Sequence, residues 1–131
     1  MPILEWSDIQ PRVELSTPEE FDHAIDRLAA RATPERPSIV ALYAHGHQVM
    51  LGLGLPESFV QIQQSEDPDN TPALLTIGNA ATAGVVAFYY LGSHELKIPR
   101  RNLIATPTAR RIARQFLATG KVPEEVAWEP A

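Results

Sequence analysis

The segment 37–95 constrains this chain most. It carries no Lys or Arg, and short turns cut it into brief apolar runs. Ser38–Ala44 and His47–Leu53 flank His45-Gly46, and Phe59–Gln64 alternates in polarity. Ala73–Gly78 and Gly84–Leu91 follow, and Gly92-Ser93 leads into His94–Ile98. Runs this short, bounded by Gly, Pro, Asn and Asp, read as strands rather than helices. Strands joined by tight turns pair antiparallel, because a parallel pair needs a crossover of about a dozen residues or more. Ser65–Pro72 is polar and turn-rich, the clearest break in the chain. Within Phe59–Gln64 two registers stay open: Val60 and Ile62 buried with Gln61 and Gln63 outside, or Phe59 buried. Weaker strands are expected at Ile3–Ser7 and Val13–Ser16.

Two helices flank this block. Thr17-Pro18-Glu19-Glu20 supplies an N-cap hydroxyl, Pro at the first helical position and Glu at N3, the pattern of a capping box. Phe21, Ile25, Leu28, Ala29 and Ala32 then share one face of a helix running to about Ala32. Thr106-Pro107 repeats the start signal; Ala109, Ile112, Ala113, Phe116 and Leu117 form the inward stripe, and Gly120 supplies the stop. The fold class is therefore α+β, an antiparallel β-meander sheet covered by two amphipathic helices, as a single domain over residues 1–131.

Composition narrows the chemistry. A chain of 131 residues can bury a core without staples. Its lack of Cys excludes disulfides, a thiolate nucleophile and Cys-ligated zinc or iron–sulfur centres. No apolar run reaches the length of a membrane span, and Met1–Trp6 shows neither the basic nor the apolar part of a secretory leader. A cytoplasmic chain with no membrane contact is the expectation.

The formal charge of −5 is uneven. Residues 1–36 hold eight acids and four bases, and residues 96–131 hold three acids and seven bases. Residues 37–95 hold only Glu57, Glu66, Asp67, Asp69 and Glu95. A long stretch without cations cannot follow a nucleic-acid backbone, which needs several Lys or Arg. It can complement a basic partner, or it can be a buried sheet with a few solvated acids.

Candidate chemistry is sparse. His45 and His47, one residue apart, could chelate a metal with His94, but nothing in the sequence fixes a third or fourth ligand. No Ser lies in a G-x-S-x-G elbow. Leu51-Gly-Leu-Gly-Leu55 lacks the Lys-Ser/Thr of a phosphate loop and reads as a strand end approached closely by other backbone. The loop with Glu66, Asp67 and Asp69 lacks the central Gly and distal Glu of a calcium loop. Arg100, Arg101, Arg110, Arg111 and Arg114 form a small basic cluster without aromatic companions; a helix face pairing with acids of the first segment accounts for it better than nucleic acid does. Of Phe88-Tyr89-Tyr90, the two Tyr point to opposite faces, and an exposed Tyr is an interface anchor. No catalytic constellation emerges, so a binding module without a cofactor is favoured over an enzyme.

The order of a Gly-rich strand (Leu51–Leu55), a meander with Phe88-Tyr89-Tyr90, Ile98-Pro99, Asn102-Leu103-Ile104 and the helix Ala109–Phe116 is followed by Thr119-Gly120-Lys-Val-Pro123 and Val126-Ala-Trp128-Glu129. This resembles, over residues 38–129, the immunity proteins of bacterial polymorphic toxin systems, of the type often paired with nucleic-acid deaminase toxins. The resemblance implies a small cytoplasmic α+β inhibitor without catalysis that binds a cognate toxin domain and covers its active site. It implies family-motif roles for Gly120, Pro123, Trp128 and Glu129, with Trp128 read as packing against the sheet. Toxin contacts are expected at Glu66, Asp67, Asp69, Tyr89 and Tyr90. The alternative is a small-ligand-binding or metal-dependent enzyme domain built on His45, His47 and His94. Elemental analysis of untagged protein separates them: no near-equimolar zinc or iron is expected, and such a metal would favour the alternative.

Overall fold

The computed structural model describes residues 3–5, 13–64, 72–90 and 94–131. The Ser65–Thr71 part of the polar loop, with Glu66, Asp67 and Asp69, lies outside the described residues, as do Leu91, Gly92 and Ser93. The elements run β1 (Ile3–Glu5), β2 (Val13–Glu14), α1 (Pro18–Ala29), β3 (Ser38–Ala44), β4 (His47–Leu53), β5 (Glu57–Ser58) and β6 (Val60–Gln64). They continue with β7 (Leu74–Ile77), β8 (Val85–Tyr90), β9 (His94–Pro99), a 3₁₀ turn (Arg100–Asn102), β10 (Ile104–Ala105), α2 (Thr106–Thr119) and β11 (Ala127–Pro130). Among the described residues, no helix is long and apolar enough to cross a membrane.

The fold is α+β, as the pattern predicts, but its sheet is not a simple meander. β3 and β4 pair antiparallel from Ser38↔Leu53 to Ala44↔His47, closed by His45 (φ 54°) and Gly46 (φ 70°). Positive φ at both turn positions is the two-residue hairpin whose twist matches the strands. β6 adds to β4, β7 to β6, and the C-terminal β11 to the outer edge of β7, all antiparallel. The other edge of β3 is divided: β1 takes Ala41–Tyr43, while β8 pairs parallel with Ser38 and Ile39. The meander breaks because β11 occupies the edge of β7 that β8 would have taken. The chain between β3 and β8 is long enough for the crossover that a parallel pair requires. Among the described residues, β9 then pairs with β8 alone. Along the path β9–β8–β3–β4–β6–β7–β11 the sheet curls into an open half-barrel, whose two end strands line one groove.

Strand alternation distributes the core to both faces. Val40, Leu42, Val49, Leu51, Val60 and Ile62 pack under the two helices with Phe21, Ile25, Ile112 and Phe116. Ile39, Phe59, Leu75, Phe88, Ile98 and Leu103 form a second cluster on the other face. The two registers considered for Phe59–Gln64 are thus both partly right. The pairing breaks at Phe59, whose ring meets Phe88 edge-on at 5.1 Å, while Val60 and Ile62 face the helices. Gly52 makes this possible: a Cβ there would lie 2.6 Å from Phe88 Cε1.

The helix ends show what short motifs encode. Thr17 caps α1, its Oγ1 accepting the Glu20 N–H at 3.1 Å, while Glu20 Oε2 accepts the N–H of Ser16 rather than that of Thr17. α1 stops at Ala29, short of the predicted Ala32, where three-residue bonds (Arg31 N–H to Leu28, Ala32 N–H to Ala29) tighten the end ahead of Pro34. Thr106 is not an N-cap. It is the first residue of α2, and its hydroxyl and N–H donate to the carbonyls of Leu55 (2.8 Å) and Pro56 (3.0 Å), tying the helix start to the β4–β5 link. Gly120 ends α2 in the left-handed conformation (φ 73°), its N–H donating to Phe116 at 2.7 Å.

Two substitutions test these points by urea unfolding. Thr17→Ala is expected to cost about 1 kcal/mol through the lost cap. Gly52→Ala is expected to cost about 1–3 kcal/mol, because the fully buried Phe88 ring would have to shift to admit the methyl group.

Candidate interaction surface

The three candidate metal-ligating histidines do not converge. His45 Nε2 donates to the Leu117 carbonyl at 2.8 Å, and His47 Nδ1 donates to the His45 carbonyl at 2.7 Å. Both rings meet Phe116 edge-on, at 6.0 and 5.3 Å. The hairpin turn thereby docks on the C-terminus of α2, where carbonyls lack helical partners. Gly120 leaves room for it, since a Cβ there would come within 3.1 Å of the His45 ring. His94 pairs in register with Tyr90, which in turn lies beside Ile39. It therefore belongs near one end of β3 while His45 follows the other, about 20 Å of strand away. Among the described residues, no cluster of three or more His, Asp or Glu has metal-binding geometry.

The basic cluster is largely spent inside the fold. Arg110 reaches Asp26 at 2.8 Å and Asp22 at 3.6 Å, and Arg114 reaches Asp22 at 2.6 Å, so α2 is tied to α1. This is the pairing with first-segment acids that the sequence suggests. Arg111 pairs with Glu125, whose carboxyl is held below its ordinary pKa by that hydrogen bond, while the same bond raises the Arg111 guanidinium. Arg101 pairs with Glu129 at 2.7 Å. Arg100 is exposed, its backbone N–H donating to Gly84.

The C-terminal motif residues hold the fold together. The Trp128 indole N–H donates to the Pro123 carbonyl at 2.8 Å, and its ring packs on the helix-side core. Glu129 points to the other face. It accepts from Asn102 Nδ2 and Arg101 Nη2, each at 2.7 Å. The buried Asn102 also donates to the Thr76 carbonyl at 2.9 Å and accepts the Thr76 hydroxyl at 3.0 Å, and Thr76 Oγ1 accepts the Val60 N–H at 3.2 Å. One network thus joins β6, β7, the 3₁₀ turn and β11. Nothing in the sequence marks Asn102 or Thr76 as its centre, because their partners lie far along the chain.

Tyr89 and Tyr90 are both half-buried and face opposite sides of β8. The Arg36 guanidinium stacks 4.3 Å above the Tyr89 ring, and Tyr90 packs beside the second core cluster. The helix-free face of β3, β4 and β6 is unusual for a water-facing sheet. It presents Tyr43, Gln48, Met50, Gln61 and Gln63, all half-buried and none charged. Gln48 lies opposite Gln63 and Met50 opposite Gln61, and Gln48 Nε2 donates to the Tyr43 hydroxyl at 2.9 Å. This face leads into the groove between β9 and β11, about 340 Å³, lined by Gln61, Leu75, Leu96, Ile98, Arg101 and Glu129.

A family model described as immunity protein Imm1 matches residues 10–130. No curated protein matches the chain.

The Glu129 network gives a direct test. Glu129→Ala leaves the buried Asn102 amide and the Arg101 guanidinium short of an acceptor, an expected loss of about 1–3 kcal/mol by urea unfolding. Glu129→Gln, which keeps one acceptor, is expected to lose less.

Proposed function

The chain belongs to the immunity protein Imm1 family, and on that premise we propose that it neutralises a cognate secreted toxin by covering the toxin's active site. The toxin class we assign is a nucleic-acid deaminase. A deaminase that takes a base out of a strand must hold that strand in a basic cleft. The observation that carries the reading is the charge map: residues 37–95 contribute five acids and no cation. Where that segment is exposed, its acids would draw in a basic cleft electrostatically and repel the nucleic acid that competes for it. The chain acts as a cytoplasmic inhibitor, without catalysis, cofactor or bound nucleic acid.

The proposed contacts are Glu66, Asp67 and Asp69, in the segment that follows β6, together with Tyr89 and Tyr90. Two half-exposed tyrosines supply apolar area with a polar tip, which suits an interface anchor. The alternative reading, a ligand or metal enzyme using His45, His47 and His94, has no observation in its favour: His45 binds the end of α2, His47 binds the His45 carbonyl and packs on Phe116, and His94 lies apart from both.

Reversing Glu66, Asp67 and Asp69 to Lys is expected to slow association with the toxin by about tenfold or more at low salt, and the difference is expected to shrink as ionic strength rises. Stopped-flow association with the cognate toxin domain measures it, with melting temperature as the folding control. Unchanged association and protection by the triple variant would remove the acidic segment from the interface. Arg110, Arg111 and Arg114 are unsuitable as controls, since reversing them sets acid against Asp22, Asp26 and Glu125; the exposed Gln115→Lys serves instead.

A further inference from the structure

We infer that the toxin's basic cleft docks on the helix-free face of β3, β4 and β6, centred on Gln61 and Gln63 with Tyr43, Gln48 and Met50 around them. The inference rests on the immunity-protein reading and adds to it a footprint. Antiparallel sheets with one wet face alternate apolar residues with polar ones, and charged outward side chains help keep such surfaces from associating. Here the outward positions are Tyr, Met and amides, each half-buried, with Met50 packed at the margin of the second core cluster. Tyr and Met are enriched in the cores of interfaces while Lys, Glu and Asp are depleted there.

The opposite face of the same strands offers no such choice, because α1 and α2 cover it. The outer surface of the helices carries both signs, Glu19, Glu20, Asp22 and Asp26 on α1 beside Arg110, Arg111 and Arg114 on α2, so a basic cleft would meet cations there as well as acids. The helix-free face is itself neutral, and its lack of cations is what admits a basic occupant. All of its strands come from the cation-free segment, so a guanidinium or ammonium meets no like charge on Tyr43, Gln48, Met50, Gln61 or Gln63. It meets carbonyl and hydroxyl oxygens instead, which a cleft built to hold phosphates can hydrogen-bond. The adjoining groove carries two cations, Lys97 and Arg101, and each is paired with a carboxylate, Glu95 and Glu129.

The test uses the whole 131-residue chain and a catalytically inactive form of its cognate toxin domain, with affinity measured by calorimetry. Gln61→Arg and Gln63→Arg, made singly, are expected to weaken binding at least about tenfold, because like-charge juxtaposition at an interface is costly. Gln63→Glu has nearly the same shape and is expected to bind as tightly as wild type or tighter at low salt. His23→Arg on α1 and Gln115→Arg on α2 are expected to change little. Hydroxyl-radical footprinting of the wild-type complex reads the same surface without mutation: Met50 and Tyr43 should lose oxidation. Arginine variants that fold and bind like wild type, or a footprint on the helices, would overturn this placement while leaving the immunity role intact. A wild-type chain that neither binds nor protects against that toxin would overturn both.

Discussion

β3 bears the greatest structural demand in this molecule. Ile39, Val40, Ala41 and Leu42 are all fully buried, so consecutive residues that point to opposite faces are both inside. One edge of the strand is taken along its whole length by β4, and the other is divided between β1 and β8. A strand enclosed on both faces and both edges cannot carry an ionised side chain without a large desolvation cost. The same holds in weaker form for β4 and β6. The missing cations of residues 37–95 are therefore first a consequence of burial. In the proposed docking they matter only where those strands reach the surface, on the face the helices leave open.

The helices follow from this centre. α1 and α2 cover the side of the sheet presented by Val40, Leu42, Val49 and Leu51, and polar contacts tie three of their ends. Thr17 and Glu20 close the start of α1, Thr106 fastens the start of α2 to the β4–β5 link, and His45 holds its end against the hairpin turn. Asp22 joins the two helices through Arg110 and Arg114. On the other side, Phe88 over Gly52 and the Asn102–Thr76–Glu129 network hold β8 and β11 in place, which leaves the half-barrel open between β9 and β11.

Local signals in the sequence are legible where the physics is local. The cap at Thr17, the left-handed stop at Gly120, the inward stripes of both helices and the His45-Gly46 turn all depend on neighbours within a few residues. Thr106 shows the limit: the Thr-Pro signal marks the helix start correctly, yet the hydroxyl goes to Leu55, a partner fifty-one positions away that no local pattern encodes. The parallel pairing of β8 with β3 and the insertion of β11 beside β7 are likewise products of edge competition between distant strands. At the candidate site, Gln61 and Gln63 are visible in the sequence as outward positions of an alternating strand. Their assembly with Gln48 into one uncharged face depends on the register of β3, β4 and β6, which the sequence does not spell out.

In the proposed mechanism, a cation-free surface of this Imm1 family member takes the place of nucleic acid in a toxin's cleft. A competition titration puts that exchange to the test. Fluorescent single-stranded nucleic acid is bound to a catalytically inactive form of the cognate toxin domain, and the chain is titrated in. Stoichiometric release of the strand is expected at one chain per toxin, with release less complete at high salt. A ternary complex, in which the chain binds the toxin while the strand stays bound, would contradict it.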